Sequence, residues 1–256
     1  MNKSTLNRFI QKYNLSGNAE QVKWSFSGDK TLSTRFITGD KSLLGSVKLQ
    51  QVDFDDVDLG VYDTATLKSL LAVLDDDIDI SLTKLDEKAI NMIVKNKTNS
   101  GVSVNYTLSD LSVIPEAPAL KKVPHFGTEI NITTDVIDKF IKGKSALQDT
   151  ERFTIVNKDG QCSLVIGYSA TNTNRVSIPV STSICELVDN LSFNADLFKE
   201  VLVANRECRT ATLKVANEGL AKIVFNVDNF ESEYFMVSME DVDYGKHIMG
   251  RKIQTS

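Results

Sequence analysis

Apolar residues recur along this chain at two periods. Near the N-terminus Leu6, Phe9, Ile10 and Tyr13 are spaced by three and four residues, the stripe of one helix face, with Ser4 placed to cap it. The same spacing returns at Val136, Ile137, Phe140 and Ile141, predicting a helix over Thr134–Ala146. Asp63 opens another helix that carries Leu67, Leu70, Leu71 and Leu74, and a fourth spans Asn194–Asn205. Between the helices the period falls to two. Val22–Phe26 is such a strand, as is Val102, Val104, Tyr106, Leu108, and a closing one covers Tyr234–Met239. Ser27-Gly28-Asp29 and Thr38-Gly39-Asp40 mark turns. Two helices and roughly eight strands per half predict an α+β fold, with helices on one face of antiparallel sheet.

The two halves resemble each other at one offset. Moving 131 residues on takes Arg8, Phe9 and Ile10 to Lys139, Phe140 and Ile141, and takes Tyr62-Asp63 to Phe193-Asn194. Lys68 falls on Lys199, Leu71 on Leu202, Leu82 on Leu213, Met92 on Ile223 and Asp110 on Asp241, with no gap required from residue 61 to residue 110. This reads as two copies of one domain, at 1–112 and 128–256. Between them, residues 113–127 hold three of the four prolines (Pro115, Pro118, Pro124), which marks an extended connector.

Composition narrows the chemistry. The chain has 256 residues, 41% hydrophobic and 25% charged, and no apolar run approaches the roughly 20 residues of a membrane span. Met1-Asn2-Lys3-Ser4 leads straight into a polar-faced helix without a signal-peptide core. Cys162, Cys185 and Cys208 lack metal-ligand spacing and read as buried free thiols of a reducing compartment. The two histidines, His125 and His247, have no nucleophile partner nearby, and Gly143-Lys144-Ser145 lacks the upstream glycine of a phosphate loop. Asp53, Asp55, Asp56 and Asp58, and Asp75, Asp76, Asp77 and Asp79, miss the glycine and glutamate of a calcium loop and read as solvated acidic faces. The expectation is a protein that is not an enzyme, with no catalytic residue, metal or cofactor.

The net charge of −5 looks wrong for a nucleic-acid binder, but residues 3–16 hold Lys3, Arg8 and Lys12 with no acid. Arg8 and Lys12 sit off the apolar stripe of the first helix; Lys139 and Lys142 do so on the third, with Lys144 just beyond; Lys68, Lys199 and Arg206 belong to the other two. Cations on helices without base-reading side chains suit phosphate contact that ignores base sequence. Asp135, Asp138, Asp196 and Glu200 dilute that charge. These eight cations are the candidate DNA-facing residues.

The run Asp53-Phe54-Asp55-Asp56-Val57-Asp58-Leu59-Gly60-Val61-Tyr62-Asp63, the leucine-rich helix after it, and Asp75-Asp76-Asp77-Ile78-Asp79-Ile80 resemble the sliding clamps of tailed bacteriophages. So do the proline-bearing connector, Thr128-Glu129-Ile130, and Glu233–Glu240. That family is related in fold to proliferating cell nuclear antigen. The resemblance implies a head-to-tail homotrimer of six similar domains, with helices lining a hole for duplex DNA and sheets outside. It implies an ATP-driven clamp loader, and a replicative polymerase docked by a short peptide, in the cytoplasm of an infected bacterial cell with no membrane partner. It also places Val102, Val104 and Tyr106 of one subunit against Val176 and Ile178 of the next. Ile114, Leu120 and Val123 are candidates for one wall of the peptide pocket. The tail from Val242 to Ser256 departs from the family and has no assigned role. The competing reading is an oligomeric virion structural protein with no dependence on DNA.

Overall fold

A computed structural model of the chain describes residues 1–98, 101–120, 122–158, 160–169 and 173–239. His247, Asp241 and the tail lie outside these residues. The first half runs α1 (Lys3–Asn14), β1 (Val22–Ser27), β2 (Thr31–Ile37), β3 (Leu43–Gln50), β4 (Val57–Val61), α2 (Thr64–Ala72), β5 (Ile78–Leu85), β6 (Lys88–Asn96) and β7 (Ser103–Thr107). The second runs β8 (Thr128–Thr133), α3 (Thr134–Ala146), β9 (Arg152–Lys158), β10 (Gln161–Ile166), β11 (Val176–Pro179), β12 (Thr182–Cys185), β13 (Leu191–Asn194), α4 (Ala195–Ala204), β14 (Thr210–Val215), β15 (Leu220–Val227) and β16 (Phe230–Val237). It is an α+β fold with antiparallel sheets. The closing strand begins four residues before the expected Tyr234, because its alternating buried positions start at Phe230.

Local chemistry explains most helix starts. The Asp63 carboxylate accepts from the Thr66 N–H at 2.8 Å, and Asn194 does the same for the Leu197 N–H at 2.9 Å. Ser4 does not cap α1. The helix starts one residue earlier, and the Ser4 N–H instead donates to the Asp76 carboxylate at 2.7 Å. Asp76 thus supplies from across the fold the negative charge that a helix N-terminus favours. Asp75 accepts from the Asn96 side chain at 2.7 Å, so part of this acidic cluster anchors α1 and β6.

Strand pairing joins the two halves. One nine-stranded sheet has the order β12-β8-β14-β15-β16-β3-β2-β1-β4, and its middle junction, β16 with β3, links the second half to the first. The other sheets are β11-β10-β9-β13 and β5-β6-β7, so β11 and β7 are edge strands, as are β13 and β5. The 131-residue offset holds for the hairpins: Ser81 opposite Ile93 in β5–β6 reappears as Thr212 opposite Val224 in β14–β15. It fails one strand later. Met92 faces Tyr106 while its equivalent Ile223 faces Tyr234, an offset of 128 for the tyrosines. The β6–β7 connection is longer than the tight β15–β16 turn, so the ungapped alignment beyond β6 was wrong.

An aromatic path runs through the core and across the junction. Phe9 meets Trp24 at 5.6 Å, Tyr13 meets Phe36 at 6.4 Å, Phe36 meets Tyr234 at 6.3 Å and Tyr234 meets Phe225 at 6.1 Å between ring centroids. Gly45 lies opposite both Phe36 and Tyr234, and a Cβ there would collide with the Phe36 ring.

Candidate nucleic-acid and partner interfaces

The helix residues chosen for phosphate contact divide into three groups. Lys68 and Lys142 are exposed and have no carboxylate partner among the described residues. Lys139 and Arg206 are exposed but paired. Lys139 reaches Asp135 one turn earlier at 2.7 Å, and Arg206 forks onto Asp138 at 3.1 and 2.8 Å. Lys199 lies 3.5 Å from Glu200 and is half-buried.

Lys12 and Lys144 correct the expectation. Lys12 is 1% exposed, and its Nζ donates to the Ala204 carbonyl (3.0 Å), Asn205 Oδ1 (3.0 Å) and Glu207 Oε1 (2.7 Å). Lys144 is 3% exposed, donating to the Gln148 carbonyl at 2.8 Å and pairing with Asp196 at 2.7 Å. Lys12 lies off its helix's apolar stripe, as read, but the end of α4 covers that flank. Lys144, four residues after Phe140, falls on the buried face of α3 itself, so neither ammonium reaches an outer face. Arg8 is half-buried and equally engaged, 3.1 Å from Glu207 and 2.9 Å from Asp228, with its guanidinium 4.7 Å above the Phe230 ring.

Arg8 and Lys12 therefore join the halves. The Asn205 amide donates to Tyr234 Oη at 3.0 Å, and Tyr234 Oη donates to the Lys12 carbonyl at 2.8 Å. Burial disfavours the Lys12 charge more than Glu207 restores it, so its pKa is lowered. For Arg8, the hydrogen bonds to Asp228 and Glu207 outweigh partial burial and raise it. Burial pushes the Glu207 carboxyl up, but Lys12 and Arg8 hold it net below its ordinary 4.5. A closed network of this kind is costly to leave half-made.

The connector crosses the opposite face of the sheet. Arg35 on β2 donates to the Pro118 carbonyl at 2.9 Å and pins the connector midway. On one side Ile114, which is buried, lines an open depression of roughly 650 Å³ with Lys23, Ser25, Ser33 and Pro115. On the other side Leu120 and Val123 line one of roughly 270 Å³ with Leu44, Phe235 and the Lys222–Glu233 pair. The three connector residues thus split between two depressions, with Arg35 on the rim of both. The second depression sits over the β16–β3 junction. Sequence reading missed Arg35 because nothing marks one strand arginine until the connector is laid over it.

At the free edges, the β7 side chains Val104 and Tyr106 are buried on the core side, and Val102 just precedes the strand. On β11, Ile178 is buried and Val176 half-buried. The backbone groups of Val102 and Leu108 point at β6, through the Asn96 N–H to the Val102 carbonyl and the Leu108 N–H to the Ile90 carbonyl. In an antiparallel ladder the intervening residues Ser103, Asn105 and Thr107 then point outward. On β11, Val180 N–H donates back to Cys162, so Ser177 and Pro179 point outward. Pro179 has no N–H to leave unpaired, as suits an edge.

No family model matches this chain, and no curated protein matches it. Among solved structures it is similar to the Proliferating Cellular Nuclear Antigen from Entamoeba histolytica, with a TM-score of 0.71 at 14% identity, covering 94% of this chain and 97% of that one. At that identity the likeness establishes the fold, and the chain therefore has the α+β fold of a Proliferating Cellular Nuclear Antigen-like clamp.

Proposed function

We propose that this chain is a DNA sliding clamp: three copies close head to tail into a ring that encircles duplex DNA and tethers a replicative polymerase. The observation that carries the reading is the pair of free edges. The closed junction β16–β3 sets Ser232 opposite Val47 and Tyr234 opposite Gly45. Shifting β16 back by 128 residues and β3 forward by 131 turns it into β7 against β11 of a second copy. Val104 then faces Ile178, Tyr106 faces Val176, and Asn105 exchanges backbone hydrogen bonds with Ser177. A heterologous contact of this kind, repeated, closes into a ring and leaves neither edge exposed.

In this reading the helices face DNA. Their exposed cations are few and half of them are paired, so the ring holds DNA by topology, with Lys68 and Lys142 brushing phosphates. Lys139 occupies the position of Arg8 and reaches toward Asp76 of the next copy, as Arg8 reaches Glu207. The depression lined by Leu44, Leu120, Val123 and Phe235 takes the apolar side chains of a polymerase or loader peptide, and an ATP-driven loader opens the ring at a β7–β11 contact. Two domains, 1–112 and 128–256, make up each copy. The phage setting, in the cytoplasm of an infected bacterium, rests on the residue run from Asp53 to Ile80 and on the closing strand.

The test is native mass by light scattering over a range of concentrations. A mass near three times 28.3 kDa that falls on dilution is expected. A strict monomer at high concentration removes the topological mechanism. Primer extension with polymerase and loader then separates a clamp, which lengthens products, from a ring with another use.

A further inference from the structure

We propose that Cys162 and Cys185 form a reversible dithiol–disulfide pair that staples the edge strand β11 to the body of the protein. Their Sγ atoms lie 3.2 Å apart, although they belong to different sheets. Cys162 is held in β10, between β9 and β11. Cys185 ends β12, which is the edge of the nine-stranded sheet and has a register irregularity between Thr182 and Ile184. A disulfide requires the sulfurs to approach by about 1 Å more. The irregular edge strand is the side that can yield.

The two thiols differ in the way a stepwise exchange needs. Cys185 is half-exposed and Cys162 is buried. Cys185 meets a small-molecule disulfide first, such as oxidised glutathione. Its thiolate attacks one sulfur, the glutathione S–S bond breaks, and one glutathione leaves as thiolate and takes a proton. Cys162 Sγ then gives up its proton and attacks Cys185 Sγ, expelling the second glutathione thiolate. Two protein thiols are oxidised and one glutathione disulfide is reduced to two thiols. Burial and the neighbouring Cys185 push the Cys162 thiol pKa up, which slows the second step. Its contact with Cys185 counters this by making the step intramolecular.

The bond would close a loop of chain that contains the whole of β11. Resting on the clamp reading, this loop carries the edge offered to the next copy, so the oxidised form presents β11 more rigidly and holds copies together more tightly.

The experiment equilibrates the full chain in glutathione buffers of increasing oxidation, quenches with acid, denatures, and counts free thiols by maleimide labelling and intact mass. Expected is a fall from three labelled cysteines to one, Cys208, with loss of two hydrogens, monomeric mobility on non-reducing gels and full reversal by dithiothreitol. The melting temperature rises on oxidation, and Cys185→Ser abolishes that rise. Three labelled cysteines throughout, or a glutathione adduct at Cys185 with no bridge, overturns the proposal. Light scattering of the two redox forms is a separate readout. A bridge that leaves the copy number unchanged removes the link to β11, and a monomer in both forms counts against the clamp reading instead.

Discussion

The β16–β3 junction and the free edges β7 and β11 are built from equivalent strands, yet one is closed within the chain and the others are open. In the closed junction Gly45 leaves room for Phe36 to lie toward Tyr234, and Lys12 reaches across to Ala204, Asn205 and Glu207. At the open edges the positions equivalent to Gly45 and Lys12 are Val176 and Gly143, and a Cβ on Gly143 would already press against Val176. The buried lock of the β16–β3 junction thus has no counterpart at β7 and β11. The proposed clamp needs one junction that stays shut and another that opens, which suits a buried charge network at the first and a short ladder with a few apolar contacts at the second.

Proline substitution should break this comparison most sharply. Glu233→Pro removes an N–H that points at β3 in the middle of the sheet, and should give the largest loss of stability of these variants in denaturant titration. Asn105→Pro, the equivalent position on β7, removes an outward N–H only. It should leave the melting temperature nearly unchanged while light scattering reports a loss of association. If both variants unfold, β7 is not a free edge in solution.

Lys12→Met keeps the buried stem but leaves Glu207, Asn205 and the Ala204 carbonyl short of a donor, at a cost of about 3 kcal/mol. Lys144→Met should cost less than half as much, since its partner Asp196 stays solvated. Equal costs would mean the Lys12 network is no special lock.

Acid offers a smaller probe. Glu207 is held below its ordinary 4.5, so its contribution is fully present above that value and is lost as pH falls through the lower folded value. Glu207→Gln should remove about 1 kcal/mol at neutral pH, because a third of the side chain remains exposed, and the gap from the parent should shrink below about pH 4. A gap that does not change with pH would assign Glu207 a packing role alone.

The smallest effect is expected on the helix face. Lys68→Ala and Lys142→Ala should each lower the salt dependence of DNA association by about one unit of log–log slope. Retention on circular DNA, once loaded, should barely change. Loss of retention would mean that charge, not closure, holds the DNA.

Much of the fold was legible along the chain. The Thr134–Ala146 helix has the expected bounds, Asp63 opens α2 as read, and the expected Asn194–Asn205 helix is one residue shorter at each end, where both asparagines sit as caps; helix period and capping are local properties. The candidate cations were less legible. Lys12 and Lys68 look alike on a helical wheel, one covered by a neighbouring helix end and the other open. Which is which depends on residues some 190 positions away. The three-residue shift before β7 was hidden because a two-residue period keeps its look when the loop before it lengthens.

The sequence by itself determined the α+β class, the four helices, the repeated order of elements and the proline-bearing connector, all set by spacing and backbone chemistry within a few residues. Only the tertiary structure decided which cations are buried, where Arg35 holds the connector, that Asp76 rather than Ser4 serves the first helix, and which backbone groups of β7 and β11 point outward. Those outcomes depend on what packs against what, and burial and unpaired backbone groups are properties of contacts that no local stretch of chain contains.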